Sequence, residues 1–314
     1  MQNVLIVAQQ VGILFALIGV GALCRWAKLI GPFSVRGLIN VLVLLVTPCL
    51  IVDVFQRPFE GKLLAQLALA FVVALALHVI LIGLSYLFAR QGEERTDSVL
   101  RLSIVFSNAG FMGIPMEQAL LGDEGVFFGI VYVAVFNLMI WSWGLISVRG
   151  KSAAACRLHD LRVVLINPGT IGLGLGLGLF LSSVTLPSVV RTPVHMMSEL
   201  NTPLAMLVIG YYLAGAHLGA GKARPYAHLA AALRLIAAPL ILTAALFPFR
   251  GRLNQTMMLA LVTAASAPVA AMVTMFAAKY NRDVDLSVGM VSGTTLASIV
   301  TMPMMIALAM SFLK

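Results

Sequence analysis

Ser107-Asn108-Ala109-Gly110-Phe111-Met112-Gly113-Ile114-Pro115 lies within an apolar run long enough to be a membrane helix, yet it is made of residues that break one. Pro115 has no backbone N–H and crowds the preceding turn. Gly110 and Gly113 are poor helix formers. Asn108 carries an amide that both donates and accepts hydrogen bonds. Interrupted backbone at membrane depth is tolerated only where protein or a water-filled cavity covers it. The stretch is therefore expected to form one wall of a binding site, lined by Asn108, Gly110, Met112, Gly113, Ile114 and Pro115.

Outward from this stretch the chain stays apolar. It is 61% hydrophobic and 11% charged, where a soluble domain carries about 25% charged residues. Many apolar runs exceed the roughly 18 residues that span a bilayer. The class is an all-α integral membrane protein in a single membrane domain. A net charge of +9 would suggest nucleic acid in a soluble protein. Here it is better explained by basic loops, and the expected surroundings are the lipid bilayer, with no nucleic acid. Cys24, Cys49 and Cys156 show no metal-ligand spacing and read as small packing residues. The first apolar run begins at Asn3 with no Lys or Arg before it, unlike a secretory signal, and is expected to remain as a first helix.

Ten transmembrane segments are expected, at 3–24, 32–54, 62–88, 98–120, 125–147, 162–182, 194–215, 226–247, 255–278 and 285–312. Lys and Arg concentrate after the odd-numbered segments, with Arg149, Lys151, Arg157 and Arg162 the densest group. That side is expected to be cytoplasmic, which leaves both termini on the outer, periplasmic side of a plasma (inner) membrane. The halves also echo each other. Thr47-Pro48 matches Thr202-Pro203, and these are expected to be structural kinks. Pro48 and Pro115 are 67 residues apart, while Pro203 and Pro268 are 65 apart. Five segments per half is an odd number, so the second copy must insert upside down, as in many secondary transporters. The expected division is a first five-helix repeat over 1–148, a short cytoplasmic linker over 149–161 and a second, inverted repeat over 162–314.

Segment nine carries the second interruption, Ala264-Ala265-Ser266-Ala267-Pro268-Val269. On its own it reads equally as a proline kink. Paired with segment four, it makes a crossing of broken helices 4 and 9, with Ser266, Ala267, Pro268 and Val269 facing the same solute. In segment six, Gly172/Gly176 and Gly174/Gly178 form small-xxx-small pairs suited to close helix packing.

The N-terminus of a half-helix carries unpaired N–H groups and partial positive charge, which suits an anion such as a carboxylate. Asn108 could add a directional hydrogen bond, or could serve only to join two helices. Few ionisable residues lie within the segments, and each is a candidate site on cost grounds alone. Glu117 and Glu199 could carry a coupling proton or be paired carboxylates near helix ends. Asp53 reads as a residue near an outer end, His78 as a packing histidine and Arg234 as a side chain that snorkels toward the cytoplasm. No metalloprotease, hydrolase or nucleotide-binding motif occurs, so an enzyme, a metal site and a cofactor are not expected.

The pattern N-x-x-x-M-G-I-P over Asn108–Pro115 resembles the fourth-helix crossover of the auxin efflux carrier family, which includes the plant PIN carriers and bacterial permeases proposed for malate or malonate. Phe276-Ala277-Ala278-Lys279-Tyr280-Asn281 and Thr295–Pro303 are similar to stretches after the ninth-helix crossover and in the tenth helix. The resemblance implies ten helices in two inverted repeats and elevator-like movement of a small organic anion, a mono- or dicarboxylate such as malate, malonate or an auxin-like acid. On that analogy Asn108 is the carboxylate ligand, and Pro115 and Pro268 form the crossing. The long loop between helices five and six of many plant carriers is missing, which fits a bacterial member. Two other readings remain: a sodium-coupled carrier of the bile-acid type, and a membrane sensor that binds an anion without moving it. A homodimer is compatible with all three.

Overall fold

Proline and glycine punctuation divides an almost continuously apolar chain into helices joined by short turns. The computed structural model describes residues 2–149, 168–215 and 225–313. Among these there is no strand, only one isolated bridge between Ser107 and Val269. The helices are α1 (Gln2–Trp26), α2 (Pro32–Val54), α3 (Gly61–Phe88), α4 (Glu94–Val105), α5 (Ala109–Arg149), α6 (Pro168–Ser182), α7 (Ser188–Ser198), α8 (Asn201–Leu213), α9 (Pro225–Phe249), α10 (Gln255–Ser266), α11 (Met272–Lys279) and α12 (Val284–Phe312). Six of them, α1, α2, α3, α5, α9 and α12, are long and apolar enough to cross a membrane.

The 41 residues of α5 are not one rod. Gly122 has φ 64° and ψ −158°, a conformation essentially reserved for glycine. A Cβ on Gly129 would sit on the carboxyl of Glu117, although a straight helix would hold residues 12 apart at about 18 Å. The chain therefore folds back at Gly122 into an antiparallel hairpin, 109–121 followed by 123–149.

Polar residues gather at two ends of the bundle. At one end Arg57 donates to the Asp123 carbonyl (3.4 Å), Asn254 to the Glu124 carboxylate (3.0 Å) and the Leu186 amide to the Gln56 side chain (2.8 Å). At the other, Arg95 meets Asn281 (3.4 Å) and Arg282 donates to the Val148 carbonyl (2.7 Å). The connections thus alternate between ends as the chain proceeds.

Between them the interior forms two main apolar clusters. The larger joins α3, α4, α5, α6, α9, α10 and α11 with parts of α2 and α12, around residues such as Phe106, Phe127, Phe128, Leu261 and Phe276. The smaller joins α1, α2, α8 and α12 through Val11, Leu42, Met206 and Met302. Lipid tails are as apolar as leucine, so helix contact depends on close packing. Gly21 and Gly210 bring the backbones of α1 and α8 together. A Cβ on Gly210 would strike the Ile18 carbonyl, and one on Gly21 the Leu207 carbonyl. Gly172 and Gly176 do the same between α6 and α2: a Cβ on them would come to 3.0 Å from the Pro48 backbone and 3.2 Å from the Ile51 carbonyl. Gly174 and Gly178 face open space, so only one of the two expected glycine pairs packs.

Segment seven divides into α7 and α8 around Glu199 and Leu200, just before Thr202-Pro203. In α2 a π-turn over Leu42–Val46 precedes Pro48, and Thr47 bonds back to the Leu42 carbonyl at 2.8 Å. The expected linker over 149–161, beyond Arg149, and the start of segment six lie outside the described residues.

Candidate functional site

The two interruptions meet. Phe106 (φ −102°, ψ 110°) and Ala267 (φ −65°, ψ 149°) are extended, and the short extended stretches they begin run antiparallel. The Asn108 amide donates to the Pro268 carbonyl (2.6 Å), and the Ala270 amide donates to the Phe106 carbonyl (3.0 Å). Ser107 and Val269 face each other between these two bonds. Part of the backbone that each helix leaves unpaired is thus satisfied by the other, as interrupted backbone at membrane depth requires.

The first break falls at Phe106–Asn108, not at Pro115 as the sequence suggested. Pro115 lies inside the second half-helix, directly after a π-turn over Ala109–Gly113. That turn shifts the hydrogen-bond register by one residue: the Met112 and Gly113 amides share the Asn108 carbonyl, and the Ile114 amide reaches the Ala109 carbonyl. A helix that changes register here can accept a residue with no N–H. Asn108 is therefore in the break itself rather than a helix away from it.

The end of the second half-helix begins with three amides, those of Ala109, Gly110 and Phe111, that have no hydrogen bond among the described residues. Asn108 is 9% exposed, and its side chain likewise bonds to no described residue. A Cβ on Gly110 would meet nothing within 4 Å. Here, then, are free amide donors, a free side-chain amide and open space over the glycine. Met112 turns into the smaller apolar cluster with Ala267, whereas Ile114 and Val269 belong to the larger one. The crossing thus sits where the two clusters abut. Gly113 lies 3.4 Å from the Ala264 backbone, measured to the Cβ it lacks, and lets α10 pack against the half-helix.

On the α10–α11 side the Ala271 and Met272 amides likewise have no hydrogen bond among the described residues, while the groups at the crossing itself are engaged. The Ser266 hydroxyl donates back to the Val262 carbonyl (2.7 Å), and the Val269 amide donates to the Thr294 hydroxyl (3.1 Å). Ser266, Ala267 and Val269 are buried without exposure.

The two candidate proton carriers differ. Glu117 is wholly buried between the arms of the hairpin, near Gly113 and Gly129, and neither carboxyl oxygen has a hydrogen-bond partner among the described residues. Glu199 is 67% exposed, with His195 at 3.6 Å as its ion-pair partner. Asp53 is paired as well: it accepts from the Ser198 hydroxyl and lies 2.8 Å from His195 Nδ1.

Arg234 is the residue whose surroundings the sequence misjudged most. It does not snorkel. It is completely buried, and its guanidinium donates to the Ile104 (3.2 Å) and Val105 (2.9 Å) carbonyls and to that of Ala265. These are the last turns of α4 and α10, the two first half-helices. One signal was available in the chain: a cation in an apolar run is costly wherever it cannot reach water. His78, also fully buried, bonds the Ala74 carbonyl (2.8 Å) and packs on Tyr132, with ring centroids 5.1 Å apart. A groove between α3 and α9, lined by Leu69, Val73, Leu77, Ile80, Leu242 and Leu246, is apolar and offers nothing to a charged solute.

Comparison with known proteins bears on this geometry. Residues 6–306 match the model of a family described as membrane transport protein. An uncharacterized transporter of Methanothermobacter thermautotrophicus is 26% identical over 294 residues, covering 92% of this chain and 93% of its own length.

Proposed function

The chain belongs to the membrane transport protein family, of the auxin efflux carrier, PIN-like type, and from that premise we propose that it is a secondary transporter moving a small organic anion, a mono- or dicarboxylate, across the membrane. The observation that carries the proposal is the amide end at Asn108. Three free backbone N–H groups and one free side-chain amide converge beside an antiparallel crossing of two broken helices. Such ends attract carboxylates, and hydrogen bonds to a charged acceptor contribute about 1.5–3 kcal/mol each.

Ten helices in two inverted repeats are the architecture we infer. The glycine seams support it. The helix taken as the first of one repeat packs on the second of the other: α1 on α8, and α6 on α2. This is the reciprocity that an inverted repeat demands. Thr47 also lies 3.5 Å from Asn201, bringing the two Thr-Pro kinks side by side. An elevator-type movement that carries the crossing is proposed from the family membership; α2, α5 and α12 each contribute to both apolar clusters and would have to flex in it. Glu117, buried and unpaired beside the crossing, is the better candidate for a coupling proton. We place the protein in the plasma (inner) membrane with both termini outward.

A thermal-unfolding screen of the purified protein against carboxylates, followed by counterflow in proteoliposomes, tests this. A ligand present at 100 times its Kd stabilises by about 2.7 kcal/mol. The expected result is stabilisation by a small carboxylate that is also exchanged across the membrane. Binding without exchange would make the protein a sensor, and no response to any carboxylate would remove the anion reading.

A further inference from the structure

Four helix ends come together at the crossing. The starts of α5 and α11 each present about half a positive charge, and the ends of α4 and α10 about half a negative one. Left alone, such a site has no preferred sign. Its amide side would take an anion, and its carbonyl side a cation, as half-helix C-termini do in other carriers.

Arg234 removes that symmetry. It sits in a π-turn of α9, Leu233–Ala237, and is fully buried. It binds the terminal carbonyls of both α4 and α10 and has no carboxylate partner among the described residues. A guanidinium keeps its charge in a protein and donates in a fixed planar fork, so one side chain can serve two helix ends at once. Its full charge offsets about two half-charges, and its nitrogens stand where a small cation would bind. The uncompensated charge left at the crossing is that of the amide ends.

We propose that Arg234 sets the sign of the ion the crossing accepts: it permanently occupies the cation half and leaves the amide half to an anion. Only the anion half of this proposal rests on the carboxylate reading above. The alternative is a plain hydrogen-bond clamp, which would hold the helices together without affecting ion choice.

The experiment uses the full-length protein in detergent, with thermal unfolding followed against malonate and, separately, against sodium replacing choline at constant chloride. Wild type, Arg234→Lys, Arg234→Gln and Arg234→Met are compared. The expected result is a malonate response and no sodium response in wild type and Arg234→Lys. Arg234→Gln and Arg234→Met should bind malonate at least tenfold more weakly and become stabilised by sodium. A Gln or Met variant that keeps the wild-type malonate response and gains none to sodium overturns the proposal. Sodium stabilisation of wild type overturns it too, even if the uncharged variants do not fold. A wild type indifferent to malonate, beside a Gln variant that gains sodium binding, would sink the carboxylate reading and leave the role of Arg234 standing.

Discussion

The two broken helices are counterparts in the chain but not in chemistry. At the first, the break between α4 and α5 leaves three amides and the Asn108 side chain without a partner among the described residues, and Gly110 keeps the space above them clear. At the second, between α10 and α11, the Val269 amide is held by Thr294, the Ala270 amide by Phe106 and the Ser266 hydroxyl by its own helix. The half-helix that follows has 8 residues, against 13 before the Gly122 turn. The Ala271 and Met272 amides there are also without a partner among the described residues, but Ala271 stands before that half-helix where the first has Asn108. In the reading proposed above, the first break receives the solute and the second supports it, two tasks set by local hydrogen bonding on similar backbone paths.

That contrast can be broken in four places. Asn108→Ala should have the largest effect, weakening carboxylate binding about 10- to 100-fold through loss of a charge-assisted hydrogen bond, as read by the ligand-induced shift in unfolding temperature. A shift equal to wild type would mean that the first break is not the receiving one. Thr294→Val removes the acceptor of a buried amide, which should cost about 1–3 kcal/mol of stability. Binding by the protein that remains folded should change less than threefold, and a larger loss would make the second break a binding surface. Glu117→Gln should leave binding within about threefold at any one pH while abolishing the dependence of flux on a proton gradient in proteoliposomes. Flux still driven by that gradient would remove Glu117 as the coupling group. Ser266→Ala should do least, less than twofold in binding, because its hydroxyl is committed to Val262.

Much of this was legible in the chain. Hydropathy located the apolar runs, six of which form helices long enough to cross a membrane, and Pro268 marked the second interruption, where α10 ends at Ser266. The first was misplaced by about two turns. Pro115 carries the stronger sequence signal, but a π-turn absorbs it, and such a register shift depends on packing that no local pattern records. Asn108 was recognised as polar in an apolar place, and it lies in the break. Arg234 was singled out too but expected to snorkel, because residue type and depth cannot tell a snorkelling arginine from one that finds carbonyls inside. The deciding partners, Ile104, Val105 and Ala265, lie about 130 and 31 residues away along the chain. The fold-back at Gly122 was visible only as a gap between two apolar runs, whereas its cause is a backbone conformation that favours glycine.

The central claim is that the two breaks touch at membrane depth. Ser107 and Val269 face each other as a pair without direct hydrogen bonds between them, a geometry that sets Cα atoms about 4.5 Å apart and falls within disulfide reach. Replacing Cys24, Cys49 and Cys156 and introducing Ser107→Cys with Val269→Cys tests this directly. Mass spectrometry of the folded, oxidised protein should find the two thiols joined. Two free thiols in a folded protein would place the breaks apart and contradict the account.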